Sequence, residues 1–81
     1  MMTRARSGSA VILEKLSERE LQIFARIARG SSMADIGREL KLKHTTVATY
    51  RHRVLFKLGL HSNADLTLAA LAAGLVNEPK L

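Results

Sequence analysis

The chain lacks several residue types that other classes of protein depend on. Its 81 residues include one proline and no cysteine. The absence of cysteine excludes disulfide bridges and thiolate metal ligands. With two phenylalanines, one tyrosine and no tryptophan, the core must be built from leucine, isoleucine, valine and alanine. No apolar run approaches the roughly 18 residues of a membrane span, nor the apolar region of a signal peptide. We therefore expect one small intracellular domain.

Acidic residues are missing from one long internal stretch. None lies between Glu39 and Asp65, although the chain has seven acidic residues in all and a formal net charge of +6. Such concentrated positive charge predicts a polyanionic partner, nucleic acid before membrane, and hence a cytoplasmic, nucleoid-associated protein. The basic residues and histidines of this stretch are Lys41, Lys43, His44, Arg51, His52, Arg53, Lys57 and His61.

Three helix starts share one local pattern, a serine followed three residues later by a carboxylate, which is typical of a capping box. The serines are Ser17, Ser32 and Ser62. They predict helices over about 18–29, 33–40 and 63–73. Residues 1–15 are interpreted as a flexible arm or linker remnant, and residues 77–81 as a tail.

A fourth helix is predicted over about 44–58. At roughly 100° per residue, one side gathers the apolar residues that can pack on a core, and the opposite side carries polar residues and Phe56. A turn of a few residues separates this helix from the one before it, so the two form a helix-turn-helix over about 33–52. The prediction is an all-α fold of four helices. The apolar side consists of Val47, Tyr50, Val54, Leu55 and Leu58; the polar side carries Thr45, Thr49 and His52.

The last helix is apolar on more than one side. One strip suits the core, whereas a second strip would be hard for a monomer of this size to cover. The second strip therefore predicts a homodimer interface. It consists of Leu68, Leu71, Ala72 and Leu75.

Several short motifs together resemble the LuxR/NarL-type (GerE-type) helix-turn-helix DNA-binding domain. The resemblance covers about residues 16–76. It implies a four-helix domain whose third helix enters the major groove and whose fourth mediates dimerisation, usually as the output half of a transcription regulator joined to a receiver or ligand-sensing domain. The motifs are Leu16-Ser17-x-Arg19-Glu20, Ala28-x-Gly30-x-Ser32, Ile36-Gly37-x-x-Leu40-x-Leu42, Thr46-Val47, Lys57-Leu58 and Ala73-Gly74-Leu75.

The resemblance also implies which residues contact DNA. Small apolar and threonine side chains suit thymine methyl groups, and a histidine donates to a purine acceptor. The remaining polar and basic residues suit phosphates. Tyr50 is equally consistent with packing against the core. Lys57 and Phe56 are also consistent with solvent-exposed residues that contact no partner. The predicted base contacts are Thr45, Ala48, Thr49 and His52; the predicted phosphate contacts are Ser31, Lys43, Thr46, Tyr50, Arg51, Arg53 and Lys57.

The chain departs from the family at three positions in or just before the helix predicted over about 44–58. Lys43 stands where the family usually has a serine cap, Ala48 where it commonly has lysine, and Tyr50 where it often has histidine. The Thr-Val-x-x-Tyr-Arg-x-Arg arrangement is similar to response regulators of the GacA/UvrY kind. A lysine side chain cannot accept hydrogen bonds from the free backbone N–H groups at a helix start. A phosphate, a water molecule or a helix start shifted to His44 or Thr45 must therefore satisfy these groups.

Other functions find less support in the sequence. The three histidines are eight and nine residues apart, whereas metal ligands on one helix face would be three or four apart. No nucleophile–base pair or glycine-rich phosphate loop is present, so we predict neither an enzyme nor a cofactor. The alternative is a protein-interaction module of the same fold that sequesters another regulator; RNA binding is weaker, because one tyrosine offers little stacking surface.

Overall fold

The computed structural model describes residues 8–75, which form five α-helices. The all-α prediction is confirmed, and the four expected helices begin at or near the expected residues. The first half of the predicted arm, residues 1–7, and the tail at 77–81 lie outside the described residues. The helices are α1 (Gly8–Lys15), α2 (Glu18–Ala28), α3 (Met33–Leu40), α4 (His44–Leu58) and α5 (Asn63–Ala72).

Serine caps the start of α2, α3 and α5, as predicted. In each case the side-chain oxygen accepts a hydrogen bond from the backbone N–H three residues on. Only α2 completes the reciprocal box, in which the Glu20 carboxylate accepts from the Ser17 backbone N–H at 2.8 Å. The aspartates at the matching positions are one methylene shorter. Asp65 instead accepts from the backbone N–H of His61, and Asp35 pairs with Arg38.

The second half of the predicted arm is not flexible but helical. Helix α1 packs against both α4 and α5, and its side chain Ile12 is buried together with Leu16, which follows the helix. The spacing of these two residues, four positions apart, places them on one face of a helical turn. The small polar residues around Gly8 obscured this short apolar repeat, and the prediction for 8–15 was wrong.

The core lies where α2 contacts α4 and α5. The large side chains that are completely buried come from all four expected helices. The apolar side predicted for α4 faces inward. Tyr50 and Leu58 are partly buried at its edge. The side chain of Ile23, on α2, is also fully buried. The largest fully buried side chains are Phe24, Ile23, Ile36, Leu66, Val47 and Val54.

The turn between α3 and α4 depends on close contact at Gly37. The Leu42 backbone N–H donates to the Gly37 carbonyl oxygen at 2.8 Å, and a Cβ on Gly37 would lie 2.8 Å from the Leu42 carbonyl oxygen. Val47, on α4, is farther away at 3.8 Å. The closest group to this glycine is therefore the backbone of the turn. Lys41, the first turn residue, adopts a left-handed conformation with φ 59°.

Replacing Gly37 with alanine is therefore expected to destabilise the fold. Alanine in a helix gains about 1 kcal/mol over glycine, but the clash with a backbone carbonyl should outweigh this gain and leave a net loss of about 1–3 kcal/mol. Chemical denaturation measures the difference. Ala34→Gly, at an exposed position of α3, is the control for helix propensity alone. A Gly37→Ala variant more stable than the wild type would contradict the close approach.

Candidate nucleic-acid interface

The outer side of α4 is open to solvent along its whole length. Four residues spaced four, three and four positions apart fall within an arc of roughly 60° on a helix, and all four side chains are exposed. The predicted base-contact residue Ala48 lies beside them and is partly buried. Packing of Val47 and Val54 in the core fixes the rotation of the helix, so this side points away from the protein. The four exposed residues, called the outer stripe below, are Thr45, Thr49, His52 and Phe56.

The side chain of Thr49 is held in one orientation by its own helix. Its Oγ1 donates to the Thr45 backbone oxygen at 3.0 Å. This bond uses the donor of the hydroxyl within the helix and leaves the methyl group and the acceptor capacity of Oγ1 available to a partner. His52, by contrast, presents an exposed imidazole with two nitrogen atoms for hydrogen bonding. The outer stripe thus combines apolar and hydrogen-bonding groups.

The start of α4 has backbone donors without a side-chain cap. Lys43 occupies the cap position with extended backbone and makes no capping bond, as its chemistry predicted. The amides of the first turn and the positive end of the helix dipole are therefore available to an anion. Thr46 in this turn and Ser31 before α3 are partly exposed, and Lys43 is exposed.

Two of the predicted phosphate contacts also have partners within the protein. Arg51 donates from Nε to Oδ1 of Asn63 at 2.6 Å, which joins the middle of α4 to the start of α5. The guanidinium carbon of Arg53 lies 5.7 Å from the centre of the Tyr50 ring, a distance suited to a cation–π contact. Arg53 is exposed beside the outer stripe, whereas Arg51 is partly buried and lies on the side of α4 that faces α5. Tyr50 is partly buried against the core.

The structure places Lys57 in an ion pair rather than at the outer stripe. Its Nζ lies 2.7 Å from Oε1 of Glu20, and the side chains are 39% and 4% exposed. Burial alone would raise the pKa of Glu20, but hydrogen bonds from Lys57 and Ser17 and the positive charge of the lysine outweigh it, so the pKa is lowered. The contact ties the last turn of α4 to α2. The assignment of Lys57 to phosphate stays a prediction, and the sequence offers no signal that connects this residue to Glu20.

The acidic residues that border the basic stretch are already engaged. Glu39 accepts from Nε of Arg26 at 2.8 Å, and a side-chain oxygen of Asp65 accepts from the His61 backbone N–H at 3.1 Å. Neither residue lies on α4. The positive charges beside the outer stripe are therefore not neutralised by these carboxylates.

The second apolar strip of α5 is only partly exposed. Leu68 is 64% exposed and Ala72 is exposed, whereas Leu71 is partly buried. Leu75 packs against the core, because its backbone N–H bonds back to Ala70 and turns the chain inward. Of the four predicted interface residues, Leu75 thus has an internal role as well.

Two features are absent from residues 8–75, a cluster of metal-ligating side chains and a membrane-spanning helix. In this part of the chain, no three side chains of the metal-ligating types histidine, cysteine, aspartate and glutamate come together as a possible site. None of its helices combines the length and the apolar character needed to span a bilayer.

A short turn between two helices, with the second exposing a polar and cationic side, defines a helix-turn-helix DNA-binding domain. Residues 14–77 match the family described as "Bacterial regulatory proteins, luxR family" (GerE), and the chain belongs to this family. The predicted resemblance is confirmed. Because the family consists of DNA-binding regulators, the prediction that the chain is not an enzyme is confirmed too.

Relatives of known name are considerably longer than this chain. It is 42% identical to the response regulator UvrY of Escherichia coli over 66 residues. This matched segment covers 82% of this chain and 30% of the relative. It is 41% identical over 64 residues to the response regulator GacA of Pseudomonas aeruginosa, covering 79% and 30%. For the transcriptional regulatory protein TdiR of Thauera aromatica, the identity is 40% over 55 residues, covering 68% and 24%. The chain thus spans less than a third of these relatives. No solved structure matches it significantly.

Proposed function

We propose that the chain binds a specific sequence of double-stranded DNA by inserting α4 into the major groove. The observation that carries this proposal is the orientation of α4. Its apolar side is buried and its outer stripe is exposed, with Arg53 on one flank and without acidic residues between Glu39 and Asp65. A helix presented in this way fits the recognition helix of a helix-turn-helix.

The base contacts come from the outer stripe and its immediate neighbour. The methyl group of Thr49 and the side chain of Ala48 suit thymine methyl groups, and the Thr49 hydroxyl already donates to the helix backbone. His52 donates to the N7 or O6 acceptor of a purine. Thr45, one turn before Thr49, is exposed at the start of the helix and reaches the next base pair along.

Phosphate contacts set the orientation of the helix and contribute most of the salt-dependent affinity. One group surrounds the start of α4, where free amides add to the side chains. The other flanks its middle. Lys57 is left out of this proposal because its amine is paired with Glu20. The proposed residues are Ser31, Lys43 and Thr46 in the first group, and Tyr50, Arg51 and Arg53 in the second.

We further propose that two copies bind DNA together through α5. The exposed Leu68, with Leu71 and Ala72 on the same helix, offers an apolar strip for a second copy, which the inward-packed Leu75 borders. Two of the compared relatives are named response regulators, which supports a role as the output domain of a longer transcription regulator with a receiver or sensor domain. Such a protein acts in the cytoplasm, at the nucleoid.

Selection of bound sites from randomised duplex DNA tests the proposal as a whole. A dimer of this motif predicts two half-sites about one helical turn apart, roughly 10 base pairs from centre to centre. An enriched site with that symmetry supports both major-groove binding and dimerisation. A single unrepeated half-site would contradict the dimer, and absence of any enriched sequence would contradict specific binding.

Replacing both Thr49 and His52 with alanine tests the groove assignment. We expect affinity for the selected site to fall about 10- to 100-fold, because each lost base contact removes on the order of 1 kcal/mol. Affinity for random DNA should change little, since the phosphate contacts remain. Titration of both DNAs at one salt concentration measures the difference. His61→Ala, an exposed histidine outside α4, is the matched control; unchanged affinity of the double variant for both DNAs would show that the assignment is wrong.

A further inference from the structure

Phe56 is the most exposed large apolar side chain among the described residues. It is 86% exposed in the last turn of α4, whereas the other phenylalanine, Phe24, is completely buried. Single exposed apolar residues are common on protein surfaces, so exposure alone does not indicate a function. The position of Phe56 on the helix is more informative.

We propose that Phe56 is a base-reading residue that recognises a thymine methyl group at the far edge of the half-site. The inference rests on the proposed function and extends it. Phe56 lies at about 20° around the helix axis from Thr45, and between Thr49 and His52 in angle. The side that presents these three residues to DNA therefore presents Phe56 as well.

The length of the outer stripe determines how α4 must lie in the major groove if Phe56 is to contact a base. From Thr45 to Phe56 the helix rises about 16 Å at roughly 1.5 Å per residue, which exceeds the groove width of about 12 Å. Both ends contact base edges only if α4 lies along the groove and not across it. At roughly 3.4 Å per base pair, Phe56 then reads a base pair about four to five steps from the one nearest Thr45.

The surroundings of Phe56 favour a duplex as its partner. Arg53 is exposed three residues before it, and acidic residues are absent from 40–64. The surroundings of the ring are therefore positively charged and suit a polyanion such as duplex DNA. The Lys57–Glu20 ion pair, in the same turn, attaches this end of α4 to α2. The ring is thus held on a rigid support. Apolar contact with the C5 methyl of thymine is a recognised mode of direct readout.

Uracil substitution isolates this methyl group, because uracil differs from thymine only in lacking it. The 81-residue chain is titrated with its selected site and with copies in which each thymine is replaced singly by uracil. For the wild type we expect one outer position to lose about three- to fivefold in affinity, the effect of removing one buried methyl. In Phe56→Ala the same substitution should have no effect, and affinity for the unmodified site should fall by a similar or larger factor.

Matched controls separate this inference from the proposed function. The Phe56→Ala variant should keep the wild-type helix content by circular dichroism and the wild-type sensitivity to uracil at the thymines near Thr49. Leu13→Ala, a half-exposed apolar residue on α1, should leave the whole profile unchanged. If the wild type selects no site, the proposed function fails. If it selects a site but Phe56→Ala binds with the same affinity and the same uracil profile, only the role of Phe56 is overturned.

Discussion

Replacing Lys57 with methionine is expected to lower the free energy of unfolding by about 2–3 kcal/mol at pH 7. Methionine keeps most of the apolar stem, so the change removes mainly the charge that faces the buried Glu20 carboxylate. Loss of one partner of a fully buried pair costs about 3–5 kcal/mol, because the other charge is left uncompensated. The Lys57 side chain is 39% exposed, and solvent screening reduces that figure. Urea denaturation measures it.

The same variant should change how stability depends on pH. The pKa of Glu20 in the folded protein is below its ordinary value of 4.5. A carboxyl group of this kind contributes stability that is fully present above the unfolded pKa and is lost as pH falls through the folded pKa. Without Lys57, two of the causes that lower the pKa disappear. The difference in stability between wild type and Lys57→Met should therefore shrink as the pH falls below 4.5.

Two further variants show whether the pair itself is responsible. Arg38→Met removes the cation of an exposed pair, with side chains 72% and 46% exposed, and should cost less than about 1 kcal/mol. Glu20→Gln keeps an oxygen that can accept from the Ser17 backbone N–H but removes the charge, and the double variant completes a cycle. A coupling energy near zero would show that Lys57 and Glu20 contribute independently.

Local pattern was sufficient to predict most of the fold. The serine caps depend on residues three apart, and the two sides of α4 on residues three or four apart, so the sequence contains the whole of each signal. The orientation of α4 was the decisive prediction, and the structure confirms it. Val54 is completely buried and Leu58 is partly buried, whereas Thr49 and His52 are exposed.

Contacts between distant residues account for what the sequence did not show. Glu20 and Lys57 are 37 positions apart, and each has a convincing local interpretation, a capping carboxylate for the first and a surface cation for the second. The hydrogen bond between Arg51 and Asn63 is of the same kind. Nothing in the periodicity of either helix distinguishes a cation that pairs internally from one that is free to contact phosphate.

Placing a carboxylate on the outer stripe should greatly weaken DNA binding while preserving the fold. Thr49→Glu is expected to change the free energy of unfolding by less than about 0.5 kcal/mol, since the site is exposed and glutamate is a good helix former. Affinity for DNA should fall about a hundredfold or more at roughly 0.1 M salt, because like charges in close contact cost several kcal/mol. Random DNA should be affected as strongly as the selected site, since the repulsion involves phosphates in any sequence.

Gln22→Glu provides the matched control for this prediction. It changes the net charge by the same one unit but lies on α2, where its backbone oxygen accepts from Arg26, outside the outer stripe. A change in overall charge alone would weaken DNA binding equally in both variants. A local clash with the duplex would weaken it in Thr49→Glu only, and raising the salt concentration would not restore specific binding, because the wild-type affinity falls with salt as well. Wild-type affinity of a folded Thr49→Glu protein would show that α4 does not face the DNA.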